Sequence, residues 1–344
     1  MSGGSKLQLL SPLDVDAPLP SAIDPARIFG EIRFGEGCAA GEAFPCLRVC
    51  SPTLVPANPW RAVWLSDHAL VAGRHGQVAY RHDDELMYGV ISVDESAFVD
   101  TPSASALQQA AEFAYREVFA ALAHAGFPGL LRVWNYLPRI NEIENGVERY
   151  RKFNIGRQDA FAACGRALTG RVPAASALGV RHGALEIGFF AVRRALLAVE
   201  NPRQVSAYHY PETYGPRSPT FSRAAVSSSM VQDVLFISGT ASIVGHQTLH
   251  HGDVAAQTRE TLVNIDTVLA EAARVAPLLS PAREDLACLG YVRDPADLER
   301  IRAEMRRVIG DETQVCYVQA DICRTDLLVE IEASGGHPTQ GARS

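Results

Sequence analysis

The feature that most constrains the fold is an internal repeat. Leu107, Ala111, Ala114, Val118, Leu122 and Ala125 recur every three or four residues, the spacing that lines one face of a helix. This predicts a helix beginning near Thr101, stopped by Gly126 and Pro128, then a strand over Leu130–Tyr136. After Gly252 the pattern returns. Asp253 is placed to cap a helix by accepting from its first free amides, and Leu262, Ile265, Leu269 and Ala272 mark its buried face. A break over Pro277–Pro281 and a strand over Leu286–Val292 follow. Further along, Ala177-Leu-Gly-Val-Arg181-His-Gly-Ala-Leu185 leads into Glu186–Ala191, and Ala320-Asp-Ile-Cys-Arg324-Thr-Asp-Leu-Leu328 leads into Val329–Ala333. Ala, Arg and Leu coincide at an offset of 143 residues, a register that sets Glu330 opposite Ile187. Element order recurring at a fixed offset is the mark of a duplicated unit. The expected class is α+β, with one unit over residues 1–200, a second over 201–335 and a flexible tail over 336–344. Residues 1–27, rich in Pro, Ser and Asp, read as irregular.

Charge narrows the range of partners. The formal charge of −7 over 344 residues supplies no basic surplus to neutralise phosphates, so neither nucleic acid nor an anionic membrane is an expected partner. An anionic substrate would need a local arginine cluster to overcome that field. The N-terminal stretch has no apolar core of a leader, no run approaches membrane-spanning length, and the seven cysteines form no Cys-x-x-Cys pair. A reduced cytoplasmic setting is the expectation. Gly-rich phosphate loops, G-x-S-x-G and H-E-x-x-H are all absent from the sequence, so no cofactor is expected. His246, His250 and His251 precede a helix start in a glycine-flanked stretch where helical spacing has no meaning, and no metal is expected there.

Four segments could carry chemistry. Glu148–Phe161 packs Arg149, Arg151, Lys152 and Arg157 among Tyr150, Asn154 and Gly156; its default is a solvated helix face, and its alternative is carboxylate recognition. Ser206–Arg223 holds Tyr208, Tyr210, Tyr214, Arg217 and Arg223 among prolines, which forbids a regular element and suits a binding loop. Val234–Ser242 reads as a buried strand ending at Gly239, where a ligand could approach the backbone closely. In a strand over Thr325–Ala333, Leu327, Val329, Ile331 and Ala333 share one face while Leu328, Glu330 and Glu332 share the other. Exposure is the default for both carboxylates on that pattern alone.

Together these segments resemble a known family. Val234–Ser242, Gly252–Ile265 and Leu328–Ala333 resemble the RidA/YjgF fold, which pairs mixed sheets with helices on one face. Two-unit versions carrying YRKFNIGRQDAF and SAYHYPETYGPRSPTFSRA, as here, resemble chorismatases, over roughly Pro56 to Ala333. The resemblance implies two tandem RidA/YjgF-like units and chorismate as the small-molecule substrate. It also implies release of pyruvate after Glu330, as general acid, protonates the enolpyruvyl methylene. Glu330→Gln is then expected to abolish turnover and Glu332→Gln to be mild. Candidate substrate-binding residues are Arg151, Asn154, Arg157, Tyr208, Tyr214, Arg217, Arg223 and Gly239. Ala241 and Cys323 match the pair that sets the product, Ala following the hydrolytic pattern and Cys the aromatising one. The resemblance favours 3-hydroxybenzoate, 4-hydroxybenzoate or both, feeding quinone or pigment synthesis, over a cyclohexadiene diol. A RidA-like imine deaminase, with Arg324 imitating that family's arginine, is the alternative enzyme; it would not need the two long Tyr/Arg motifs. Two fused units could satisfy each other's interfaces, so a monomer is compatible with the sequence.

Overall fold

A computed structural model describes residues 6–37, 43–194, 196–228, 232–277, 279, 282–310 and 315–340. The first strands are β1 (Leu7–Asp14), β2 (Ile28–Phe34), β3 (Cys46–Val49), β4 (Thr53–Val55) and β5 (Trp60–Ser66). Four of them build an N-terminal sheet, ordered β1-β5-β2-β3. The stretch read as irregular therefore opens with a strand. Leu7 and Leu9 point into the core while Gln8 does not, an alternation too short to stand out beside the prolines.

The duplication is present in the topology. The first unit runs β6 (Val71–His75), β7 (Val78–His82), β8 (Leu86–Val93), α1 (Ala106–Ala125) and β9 (Gly129–Pro138). A small hairpin of β10 (Ile143–Glu144) and β11 (Val147–Glu148) leads to α2 (Arg149–Ala163), β12 (Ala174–Val180) and β13 (Leu185–Val192). The second unit begins with β14 (Leu197–Val199), β15 (Ala224–Ser228) and β16 (Asp233–Thr240). The hairpin of β17 (Ile243–Val244) and β18 (Gln247–Thr248) precedes α3 (Val254–Val275) and β19 (Ala287–Val292). The unit closes with α4 (Leu298–Ile309), β20 (Val315–Gln319) and β21 (Val329–Gly335), after which β22 (Thr339–Gln340) joins β1. The two sheets have the same order: β12-β9-β13-β8-β7-β6 in the first, and β20-β19-β21-β16-β15-β14 in the second, with β4 added at its edge. This is the α+β arrangement of two tandem, like-ordered units that the sequence implies.

Asp253 caps α3 by accepting from Ala256, as its position predicts. Helix α1 starts later than Thr101, with Ser105 as its cap and Gly126 closing it in the left-handed region. Such a cap contributes about 1 kcal/mol. Helices α1 and α2 cover one face of the first sheet, packing on Val133, Ile187 and Phe189. Helices α3 and α4 cover the equivalent face of the second, packing on Val329, Ile331 and Ala333. The opposite faces of all three sheets share one core, which includes Phe34, Trp60 and Trp64, then Trp134 and Phe190, then Phe236 and Tyr291.

That layering corrects the offset of 143. Ile187 packs beneath α1 and α2, whereas Glu330 lies on the face of β21 away from its helices. A one-residue slip along a strand exchanges its faces. Glu186 is paired in register with Tyr136 of β9, and Glu330 with Tyr291 of β19. The hydroxyls of those two tyrosines share a hydrogen bond of 2.6 Å. Glu186, one residue before Ile187, is thus the counterpart of Glu330, and both units carry an acid.

Candidate active site

A cavity of about 500 Å³ opens where the first unit meets the second. Asn141, Glu148, Tyr150 and Arg151, from the β10–β11 hairpin and the start of α2, form one wall. Tyr210, Tyr214, Phe221 and Arg223 come from the proline-rich loop, and Gly239 and Ala241 from the end of β16. Cys323, Arg324 and Asp326 of the β20–β21 loop, with Glu330, complete it.

Glu330 sits on the floor, 4% exposed. Burial pushes its carboxyl up to about 8, the nearby Glu332 charge pushes the same way, and Arg132 and Arg293 oppose them. It has no hydrogen-bond partner among the described residues. Its close seat against β16 depends on Gly239. The register of β16 on β21 slips between Ile237 and Thr240, a bulge of the kind that re-aims strands beside sites. A Cβ on Gly239 would collide with the Glu330 carboxylate. Glycine at this position makes room for the acid.

Glu332, two residues on, is also buried rather than exposed. It accepts from Arg132 Nη2 at 2.6 Å, Trp134 Nε1 at 2.8 Å and Ser176 Oγ at 2.5 Å. The donors sit on β9 and β12, out of reach of any pattern read along β21 alone.

Two guanidinium groups in the cavity wall are incompletely satisfied. Arg324 donates Nη1 to the His246 carbonyl at 2.9 Å and lies over the Tyr214 ring at 4.1 Å. Its Nη2 is buried with no partner among the described residues. Arg223 donates Nη2 to Val205 O at 2.8 Å and to Tyr210 Oη at 2.9 Å, leaving a buried Nε free. Unmet donors on buried cations are costly, and an anionic ligand would satisfy them. Arg151 stands at the half-open mouth, 3.5 Å from Glu148. The Cys323 thiol is pushed up to about 12, first by burial and then by Glu330, so it stays neutral.

Glu330, Arg151, Tyr214, Arg223, Gly239, Ala241 and Cys323 are therefore brought together. Four other candidates lie outside the wall. Asn154 is buried in α2 beside Tyr150. Arg157 donates to Thr220 O at 2.6 Å and stacks on Tyr115 and Phe161. Tyr208 packs on His209, and exposed Arg217 lies 3.7 Å from Asp159. The expected solvated face of Glu148–Phe161 is not solvated. Arg149 and Lys152 are buried, and Glu95 and Glu144, from two other elements, pair with them. Tyr210 and Arg324 were not singled out as substrate contacts from sequence. Arg324 carried a signal, its coincidence with Arg181, but that signal served to align the repeat. His246 supplies a backbone carbonyl rather than a metal ligand, and no cluster able to hold a metal occurs among the described residues.

The fold and cavity define a class: a two-unit α+β protein holding a protonated carboxyl beside guanidinium donors, suited to acid chemistry on a small anion. Comparison with known proteins makes this specific. Residues 62–191 match the profile described as chorismatase FkbO/Hyg5-like, N-terminal. The chain is 34% identical to the 3-hydroxybenzoate synthase of Streptomyces hygroscopicus, covering 89% of this chain and 91% of that protein. It is 34% identical to a chorismatase of Streptomyces rapamycinicus, covering 94% of each. A chorismatase crystal structure at 1.08 Å resolution superposes with a TM-score of 0.85 and 29% identity, over 96% of this chain and 98% of that one. The chain belongs to the chorismatase family.

Proposed function

We propose that this enzyme cleaves chorismate to pyruvate and 3-hydroxybenzoate, with Glu330 as the general acid. The observation that carries the reading is the Glu330 carboxyl, raised to about 8 in a cavity that also offers free donors on Arg324 and Arg223. Chorismate carries two carboxylates, and charge-assisted bonds to two guanidinium groups would hold both. An enol ether is inert until its methylene carbon is protonated. A carboxyl still protonated at neutral pH can supply that proton, typically accelerating such a step about 10²- to 10⁴-fold.

The atoms balance without water. Glu330 gives its proton to the methylene, making it a methyl, and the ring carbon–oxygen bond breaks with its electron pair leaving on pyruvate. The ring hydroxyl oxygen bonds to the vacated carbon, and its bond to its original carbon then breaks, so that the hydroxyl moves over by one position. The carbon that now bears it loses its hydrogen as a proton, returned to the Glu330 carboxylate, and the ring aromatises to 3-hydroxybenzoate. Cys323 and Ala241 line the same cavity and are proposed to decide how the ring closes and opens, including any share of 4-hydroxybenzoate. No helix among the described residues is long and apolar enough to cross a membrane.

The test is incubation of purified protein with chorismate, with assay of pyruvate and chromatography of the ring products. Pyruvate with 3-hydroxybenzoate is expected, and Glu330→Gln should lower the rate at least about 10²-fold. No pyruvate above the spontaneous background would end the proposal; a cyclohexadiene diol as sole ring product would end its second half.

A further inference from the structure

The acid counterpart in the first unit opens into a cavity of its own. A pocket of about 560 Å³ lies between the N-terminal sheet and the first unit, lined by Glu186 together with Arg48, Arg74, Arg81, Phe44 and Tyr80. Its construction repeats that of the catalytic cavity. Glu186 is the second residue of β13, as Glu330 is of β21. Each acid is buried, and each faces three guanidinium groups at the junction of two sheets.

The two acids differ in what holds them. Glu186 accepts from Arg48 Nη2 at 2.7 Å and Ser92 Oγ at 2.8 Å, whereas Glu330 has no such partner. Burial raises the Glu186 carboxyl above its usual range, with Arg48 and Ser92 opposing, but its Oε1 is already engaged by both donors, so this cavity is built to bind rather than to react.

Its remaining charge is positive. One carboxylate against three guanidinium groups leaves two cations over. Arg81 is the telling one. Its Nη1 donates to the carbonyls of Pro25 at 2.9 Å and Ile28 at 2.5 Å. Its Nε is buried and has no partner among the described residues. Burial lowers its pKa, with only Asp24 opposing, as for a desolvated cation without a bound anion. The Arg81 guanidinium carbon lies 5.5 Å from the centre of the Phe44 ring, and the Tyr80 ring adds a second aromatic surface. Charge and apolar surface therefore stand side by side.

We propose that this cavity is a second, non-catalytic binding site for a small aromatic carboxylate, whose carboxylate meets Arg81 and Arg48 while its ring rests on Phe44 and Tyr80. If the reading under Proposed function holds, the hydroxybenzoate product has this chemistry and the site reports product concentration.

The experiment is calorimetric titration of the full chain with 3-hydroxybenzoate, alongside steady-state turnover of chorismate. Two molecules per chain are expected. Arg81→Gln should leave one, with kcat and KM for chorismate unchanged within about twofold. Ala72→Trp, at an exposed position on the pocket's β6 wall, should block the same site without touching any buried group. One molecule per chain in the unaltered protein, or two retained in both variants, would overturn the proposal. Equal binding of inorganic phosphate would overturn the assignment to an aromatic carboxylate. Loss of pyruvate release from the unaltered enzyme with both titration sites intact would instead count against the catalytic reading alone, so the two failures are distinguishable.

Discussion

Glu330 and Glu332 share one face of β21, two residues apart, yet only Glu332 is held: Arg132, Trp134 and Ser176 all donate to it. The arrangement separates two like groups. Burial, with the Glu332 charge beside it, keeps Glu330 protonated near neutrality. The acid is thus tuned by a residue that need not touch the substrate.

The pH profile follows. Proton donation needs Glu330 protonated, so kcat/KM for pyruvate release should be flat near neutrality and fall as pH rises through about 8. Glu332→Gln removes the like charge and leaves Arg132 uncompensated. Both changes lower the Glu330 pKa, so the falling limb should move to lower pH by about one unit. Because Arg132 is buried, this substitution is expected to cost more than the mild change that the resemblance implies. An unmoved limb in Glu332→Gln would separate the two carboxylates.

Stability should also fall with rising pH, over the range between the unfolded and folded values of the Glu330 pKa. A carboxyl raised from 4.5 to about 8 costs nothing below the unfolded value, because both states are protonated. The cost grows as pH rises between the two values and is complete above about 8. At neutral pH it amounts to about 3 kcal/mol. Glu330→Gln removes it, so this inactive variant should melt several degrees above the unaltered enzyme at pH 8 and close to it at pH 4.5, measured by calorimetry. A lower Tm at pH 8 would mean that Glu330 stabilises the fold.

Much of this was legible in sequence, and the limits have physical causes. Helical spacing located α1 and α3, and turn chemistry placed Asp253 and Gly126 at their ends, because those signals are local. The acid on β21 and the small residues at the end of β16 were legible through the resemblance. The burial of Arg149 and Lys152 was not, since their partners Glu95 and Glu144 come from two other elements. Nor could a run of matched letters fix the register of the repeat to one residue. Strand alternation decides that, and it becomes visible only when Ile187 is seen beneath its helices.

Arg324 should govern binding more than chemistry. Its stacking on Tyr214 and its bond to the His246 carbonyl fix the guanidinium, while Nη2 stays available to a carboxylate. Losing a charge-assisted bond of this kind costs about 2 kcal/mol. Arg324→Met is therefore expected to raise KM for chorismate about 30-fold with kcat changed much less. A fall in kcat at unchanged KM would place Arg324 in the transition state instead.

Cys323 should govern what the ring becomes. The cavity brings it together with Ala241 and Glu330, and its thiol, pushed up to about 12, remains a neutral weak donor throughout the working pH range. Valine is of similar size but branched at Cβ and without a polar atom, so it would alter both the space beside the ring and the one contact the thiol could offer a ring oxygen. Glu330 and the arginines are untouched by the change, so proton donation and substrate binding persist. Cys323→Val should accordingly release pyruvate within about tenfold of the unaltered rate while shifting the ring product from 3-hydroxybenzoate towards the diol. Chromatography of the ring products decides it: an unchanged product ratio would remove Cys323 from the choice and leave Ala241 as the residue to vary.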